Sequence, residues 1–371
     1  MNLRNLVRIL VALMAALIVI GMTLVLSASS TYSALKFDSI YYMFNNHIVR
    51  VVVAALVFLL FSIIPYETYK KLSKPLLLGI LVTLFLTFLL AARVKGANRW
   101  INFYLFTFQP SAAAKIILII HLAYLIEKKG EWIKNYKQGF IYPLVWIMII
   151  AGLVLIQPNV STSIIIMVTS FAILFVGGAK LKHILLSMGG TGLLGLSAVM
   201  IFPHSRGRVM DYISSLLNGG NLNHQVHQAK IALGSGGLWG VGLGHSRQSD
   251  LFIPEAYGDF IFSVLGEEMG FIGAVVVLFV FLAIFFIGLI IAKNTPDTFG
   301  QLLAFGLTFN VAVSAFINAA VVLGLLPTTG ITLPFISYGG TSIVFMCASI
   351  GIITNIALKT NRKREARLAS A

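Results

Sequence analysis

The chain is poor in charge and poorest in negative charge: 11% of its 371 residues are charged, and only 12 are acidic. A soluble domain carries about 25% charged residues to face water, so a water-soluble globule is excluded. The single cysteine, Cys347, excludes a disulfide framework and reads as packing. No Walker loop, zinc-ligand spacing, Gly-x-Ser-x-Gly elbow or dinucleotide fingerprint occurs. The residues that ATP hydrolysis, metalloprotease or serine-hydrolase chemistry requires are therefore missing, and energy has to come from the substrate or a gradient.

What the chain has in abundance is hydrocarbon: 58% hydrophobic residues and a mean hydropathy of +0.94. Apolar runs of roughly 20 residues, the length that crosses a bilayer, recur near 9–28, 48–66, 75–92, 111–126, 140–157, 162–178, 184–202, 260–292, 301–325 and 338–358. The expected architecture is an all-α, polytopic bundle of about ten transmembrane helices in one domain, 1–371. It has a short cytoplasmic N-terminus, 1–8, a large external loop between helices 7 and 8, about 203–258, and a basic cytoplasmic tail, 359–371. The first span should stay as a signal anchor. With the N-terminus inside, most of the 27 Lys and Arg fall on the cytoplasmic side, as the positive-inside bias requires. A net charge of +15 is then a matter of topology, and no nucleic-acid partner is implied.

The basic residues that break the bias are the informative ones. Arg93, Lys95, Arg99, Arg206, Arg208, Lys230, Arg247 and, more weakly, Lys36 fall in external loops, and Arg50 and Lys115 lie near external span ends. Snorkelling explains any one of them equally well. As a cluster they favour an anionic ligand bound from outside, phosphate being the usual one. Within the long loop, an amphipathic stretch from His224 runs into glycines 234, 236, 237, 240, 242 and 244. These permit close backbone approach to a ligand, although a flexible loop or a packing stretch is at least as good a reading. Gln109-Pro110-Ser111 and Gln157-Pro158-Asn159 look like helix starts, with Pro in the first turn and Ser or Asn available to cap.

With so few carboxylates, elimination is possible. Five of the twelve belong to cytoplasmic segments. Asp259 stands out because it follows the Pro254–Gly258 turn and opens an apolar run. Partial desolvation there should raise its pKa toward a general base's range, but an N-cap role weighs more on these residues alone. Glu255 reads as a second acid or a turn residue, and with Asp259 it offers oxygen ligands to a divalent cation such as Mg or Mn. Glu267 and Glu268 lie inside an apolar segment, where ionisable groups face protein or water. They are expected to be structural acids, with a cation such as Lys115 as one partner. His121 has no companion at ligand spacing and reads as a core residue.

Several blocks, in order, resemble the SEDS family (shape, elongation, division and sporulation), which FtsW, RodA and SpoVE represent. They are Gly96-Ala-Asn-Arg-Trp-Ile101, Gln109-Pro-Ser111 with Lys115, Gln225 with Gln228, Gly234–Gly237, Gly242-Leu-Gly244, Pro254-Glu255, Asp259–Phe262, Gly266-Glu-Glu268, Leu326-Pro327 and Leu333–Gly340. The resemblance spans nearly the whole chain. It implies an inverting peptidoglycan glycosyltransferase that polymerises lipid II on the outer face of the cytoplasmic membrane. Asp259 would be the catalytic base. Arg99 and Lys115, then Arg206, Arg208 and Lys230, would stabilise charge on undecaprenyl pyrophosphate. Gln225, Gln228, Glu255, Trp100 and Ser337 are the remaining expected substrate contacts, with interfacial anchoring the simpler reading of Trp100.

The resemblance also implies a class B penicillin-binding protein and other divisome or elongasome proteins as partners. Three departures touch the site: Ala112 stands where the family usually has Glu, Asn159 where it has Asp, and Tyr257-Gly258 where His-Thr is common. The segment Gly330-Ile331-Thr332 before Leu333 looks closer to the division branch, FtsW, than to the elongation branch, RodA. A lipid II flippase and a non-catalytic division scaffold are the rivals from other classes.

Overall fold

A computed structural model describes residues 2–90, 100–103, 106–218, 223–248 and 252–370. Helices α1 (Leu3–Phe37), α2 (Tyr42–Ile63) and α3 (Tyr66–Leu90) are followed by an antiparallel pair, β1 (Ile101–Phe103) and β2 (Phe106–Phe108), with Ile101 opposite Phe108. Then come α4 (Pro110–Lys129), α5 (Ile141–Ile156), α6 (Val160–Val176), α7 (Leu181–Ile201), α8 (Pro203–Asn218), α9 (His224–Ser235), α10 (Ile261–Asn294), α11 (Thr298–Val322) and α12 (Gly340–Ser370). Each of the ten expected spans falls on a helix. Among the described residues eight helices are individually long and apolar enough to cross a membrane; the two other expected spans fall on α6, of 17 residues, and α7, of 21. The chain is a polytopic helical membrane protein.

Enclosure separates inner helices from outer ones. The apolar windows of α4, α11 and α12 are 72%, 72% and 78% buried, against 11% for α2. The inner helices can crowd because small residues remove side-chain bulk where backbones meet. A Cβ on Gly351 of α12, for example, would stand 2.7 Å from the Phe58 carbonyl of α2. Ion pairs join helix ends at the face carrying both termini: Arg4 to Glu365 at 2.8 Å, Lys70 to Glu127 and Lys359 to Glu67 at 2.6 Å. Being partly exposed, each contributes little by itself.

The expected loop 203–258 contains two helices, α8 and α9, the latter capped by the Asn223 side chain, which accepts from Gln225 N at 3.1 Å. After α9 the glycine-rich segment lies backbone-to-backbone against the start of α10. Val241 N donates to Glu267 O (3.0 Å), Gly242 N to Glu268 O (3.1 Å), Phe271 N to Gly237 O (2.9 Å) and Ile272 N to Leu238 O (3.2 Å). The close approach that these glycines permit is thus made to the chain itself. It breaks α10 at Gly270, whose φ of 68° and ψ of −174° are not helical.

Glu267 and Glu268 serve that junction. Glu267, 2% exposed, accepts from Ser246 Oγ (2.5 Å), Arg247 N (3.1 Å) and Gln248 N (3.4 Å). Glu268 accepts from the Ser27 hydroxyl of α1. The expected pairing with Lys115 is not formed, because both carboxylates turn to hydroxyl and backbone donors of α1 and the 241–248 segment. Glu267→Ala leaves those donors unmet, at about 1–3 kcal/mol for each that water cannot reach. We expect a lower unfolding temperature for Glu267→Ala and an intermediate one for Glu267→Gln. Unfolding at the wild-type temperature would mean the backbone bonds alone hold the segment.

Two further expectations are revised. Pro110 occupies the first turn of α4 as expected, but Pro158 precedes the cap position of α6. The Asn159 side chain makes no cap and instead donates to Ser111 Oγ at 3.3 Å. His121 is a core residue, bonded through Nδ1 to Ser73 Oγ at 2.8 Å and edge-on to Trp146. Cys347 is buried and free.

Candidate active site

Asp259 sits half-buried just before α10. The cap position is Phe260, which makes no side-chain cap, so Asp259 lies outside the N-cap role that its sequence position favoured. Its main chain is tightly held. Asn318 of α11, 1% exposed, donates through Nδ2 to the carbonyls of Asp259 and Ile331, both at 2.7 Å. Ser337 Oγ donates to Gly258 O at 2.8 Å and accepts from Leu333 N at 2.8 Å. Tyr338 N donates to Tyr257 O at 2.9 Å. The 252–259 turn and the 328–340 segment are therefore one stitched unit, and the Ser337 hydroxyl is committed to stitching it.

Arg208 reaches this unit from α8. Its Nη1 donates to Thr328 O at 3.3 Å. Both Arg208 Nη1 (4.0 Å) and Asp259 Oδ2 (3.4 Å) lie near the point where a Cβ on Gly330 would stand. Burial pushes the Arg208 guanidinium below its ordinary pKa while the charge of Asp259 pulls the other way, but an arginine remains charged at any working pH. One turn on, Tyr212 donates to Leu325 O at 2.7 Å, so α8 docks through residues i and i+4 of one face. Arg206, two residues from Arg208, faces elsewhere and is exposed. Lys230 of α9 lies over Gly324, its Nζ 2.8 Å from the position of a Cβ there. Between α8, α9 and the 326–328 segment is a narrow cleft lined by Arg208, Tyr212, Asn223, Val226, Pro327 and Thr328.

The other expected residues are dispersed. Gln225 reaches the turn through Nε2 to Pro254 O at 3.4 Å, and Gln228 is half-buried on α9. Glu255 is exposed on the same turn, with a φ of 59°. Trp100 is half-buried beside β1, and Arg99 lies outside the described residues, as do Arg93 and Lys95. Lys115 lines narrow cavities between α4, α6 and α11 with Thr169, Ser170 and Asn310. Ala112, one turn before it, lines the adjoining cavity, and among the described residues no carboxylate pairs with this lysine. Tyr257 carries a phenol that burial pushes above its ordinary pKa, so it stays protonated. Among the described residues no group of three or more His, Cys, Asp or Glu is placed to hold a metal ion.

Sequence reading missed Asn318, Tyr212 and Tyr338. Asn318 had a signal, since Asn310, Ser314 and Asn318 recur every fourth residue along an otherwise apolar span, and polar residues within a membrane face the bundle interior. Asn318→Leu removes both bonds to the turn at a cost of about 1–3 kcal/mol. We expect a lower unfolding temperature and faster proteolysis near residues 252–259. An unchanged cleavage rate would mean that Ser337 and Tyr338 suffice to hold the turn.

Fold and site together define a polytopic membrane protein that brings a carboxylate and an arginine together where α8, α9 and the 328–340 segment meet. Comparison with known proteins gives the family: residues 7–362 match the cell cycle protein model of the FtsW, RodA and SpoVE group, and the chain belongs to it. The probable peptidoglycan glycosyltransferase FtsW of Geobacter sp. (strain M18) is 35% identical over 358 residues, 94% of this chain and 96% of that protein. Stage V sporulation protein E of Bacillus subtilis (strain 168) is 33% identical over 356 residues, 94% and 96% of the two chains. In fold, the chain is similar to part of a peptidoglycan synthase complex that coordinates polymerization and crosslinking (TM-score 0.77, 24% identity, 95% of this chain and 97% of that one). It is also similar to the rod shape determining protein RodA of Thermus thermophilus (TM-score 0.70, 23% identity, 94% and 96%).

Proposed function

We propose that this chain is a septal-type peptidoglycan glycosyltransferase that polymerises lipid II with Asp259 as its base. Both termini face the cytoplasm and the 203–258 region faces outward, the orientation that the Lys and Arg bias favours. The observation that carries the reading is the half-buried carboxylate of Asp259, fixed through its own carbonyl by Asn318 and sharing the Gly330 corner with Arg208. Asp259 takes the proton from the 4-hydroxyl of the acceptor GlcNAc as that oxygen attacks the anomeric carbon of the donor MurNAc. The new β-1,4 bond forms as the bond to the pyrophosphate oxygen breaks, the centre inverts, and undecaprenyl pyrophosphate leaves. Arg208, already aimed at this corner, stabilises charge as it builds on the departing group, and Lys230 and Lys115 supply positive potential farther out.

A class B penicillin-binding protein is the partner that would crosslink the strands. The test is glycan-strand formation from purified lipid II by the chain with its cognate transpeptidase, comparing wild type with Asp259→Ala and Asp259→Asn. Polymer from wild type alone supports the mechanism; equal polymer from all three removes Asp259 from it. A scaffold would tolerate loss of the carboxylate altogether.

A further inference from the structure

Arg50 of α2 is a cation with no counter-charge among the described residues. Among the described residues it makes no ion pair and no hydrogen bond, and the Tyr338 ring centroid lies 4.2 Å from its guanidinium carbon. Its Nε stands 3.5 Å from the position of a Cβ on Gly340, the first residue of α12. The opening N–H groups of a helix have no intrahelical acceptor, and the helix dipole makes that end positive. An arginine beside it is the electrostatically wrong pairing, since cations are favoured at the other end. One turn earlier on the same face of α2, His47 is 0% exposed, and neither ring nitrogen has a hydrogen-bond partner among the described residues. Its ring lies 5.6 Å from that of Tyr338.

Three groups that want an acceptor thus converge around Tyr338: a guanidinium, a helix N-terminus and a buried imidazole. An anion between them turns each unfavourable juxtaposition into a favourable one. Tyr338 adds order, because stacking fixes the guanidinium plane and leaves its edge N–H groups free for bidentate contact with a phosphate. Its N–H also bonds the Tyr257 carbonyl, two residues from Asp259. Arg208 approaches the same turn from α8, and Arg50 approaches it from α2.

We propose that Arg50 and the N-terminus of α12 form a second phosphate-binding site, separate from that of Arg208. Glycosyl transfer between two lipid-linked sugars presents two diphosphates at once, one on the donor and one on the acceptor, and a single cationic corner cannot hold both. A phospholipid headgroup carries the same phosphate chemistry and is the other source. The identity of the ligand rests on the polymerase reading; the site itself does not.

The test is native mass spectrometry of the full chain in detergent, counting retained lipids with undecaprenyl diphosphate in one arm and phosphatidylglycerol in the other. Wild type is expected to retain two diphosphate lipids. Arg50→Gln should weaken one of them roughly ten- to hundredfold, and Arg208→Gln the other. If the lipid lost on Arg50→Gln is phosphatidylglycerol, the site stands and its source is the headgroup. Equal retention by wild type and Arg50→Gln in both arms overturns the proposal. The unfolding temperature separates a folding defect, and folded Arg50→Lys should recover part of the loss; no recovery counts against a charge-based site. Retention is read without turnover, so failure of the Asp259 experiment and failure of this one are distinguishable.

Discussion

Replacing Asp259 by Asn is expected to lower glycan polymerisation by about 10²–10⁴-fold, the usual worth of a positioned general base, while leaving the unfolding temperature close to wild type. The separation of the two effects follows from which atoms of residue 259 do what. The fold holds this residue by its main-chain carbonyl, which accepts from Asn318, and the substitution keeps that carbonyl. The side chain shares the Gly330 corner with Arg208, and an amide there keeps shape and loses basicity. Polymer formed at more than a tenth of the wild-type rate by the folded variant would sink the base assignment. A parallel collapse of stability would instead make Asp259 a structural acid whose charge Arg208 requires.

Gly270→Ala should be among the most damaging small substitutions outside the site, costing on the order of 4 kcal/mol or more, because a steric clash adds to a backbone conformation open in practice only to glycine. A Cβ at this position would lie 2.4 Å from Gly240 N and 2.5 Å from Leu238 O. Those atoms are backbone, and they belong to the segment bonded to residues 267–272, so nothing flexible can yield. Gly79→Ala in α3 is the matched control, with nothing within 4 Å of its would-be Cβ and a helix propensity that improves. Thermal unfolding and steady-state level of the two variants decide the matter. If Gly270→Ala accumulates and melts with Gly79→Ala, the break in α10 is not required for folding.

The contrast between these glycines shows where sequence reading stops. Gly240 was legible as a permissive position, but its partner Gly270, 30 residues on, was not, because the close approach depends on α9 delivering one segment onto another. The same holds for acids. Glu267 and Glu268 were legible as buried and structural from their apolar surroundings, whereas their donors, Ser246, Arg247 N, Gln248 N and Ser27, belong to segments that only the fold brings near. Lys115 was an obvious intramembrane cation, yet it lies between α4, α6 and α11 without the carboxylate expected to meet it. Within the external cluster, Arg206 and Arg208 looked equivalent in the chain. Helix geometry separates them, turning Arg208 toward Thr328 and leaving Arg206 in the open.

By itself, the sequence determined that this chain lives in a bilayer and where its apolar runs lie, and it marked Asp259 as the carboxylate to test. Transfer from water to hydrocarbon is a property of local composition over about 20 residues, and a scarce acid at the edge of such a run is visible wherever the run is visible. Tertiary structure alone decided that Asn318 and Ser337 hold the Asp259 turn, that Arg208 faces it, and that Arg50 meets the start of α12. Each of those is a contact between residues far apart in the chain, set by how helices pack side by side, and no local pattern encodes which faces meet.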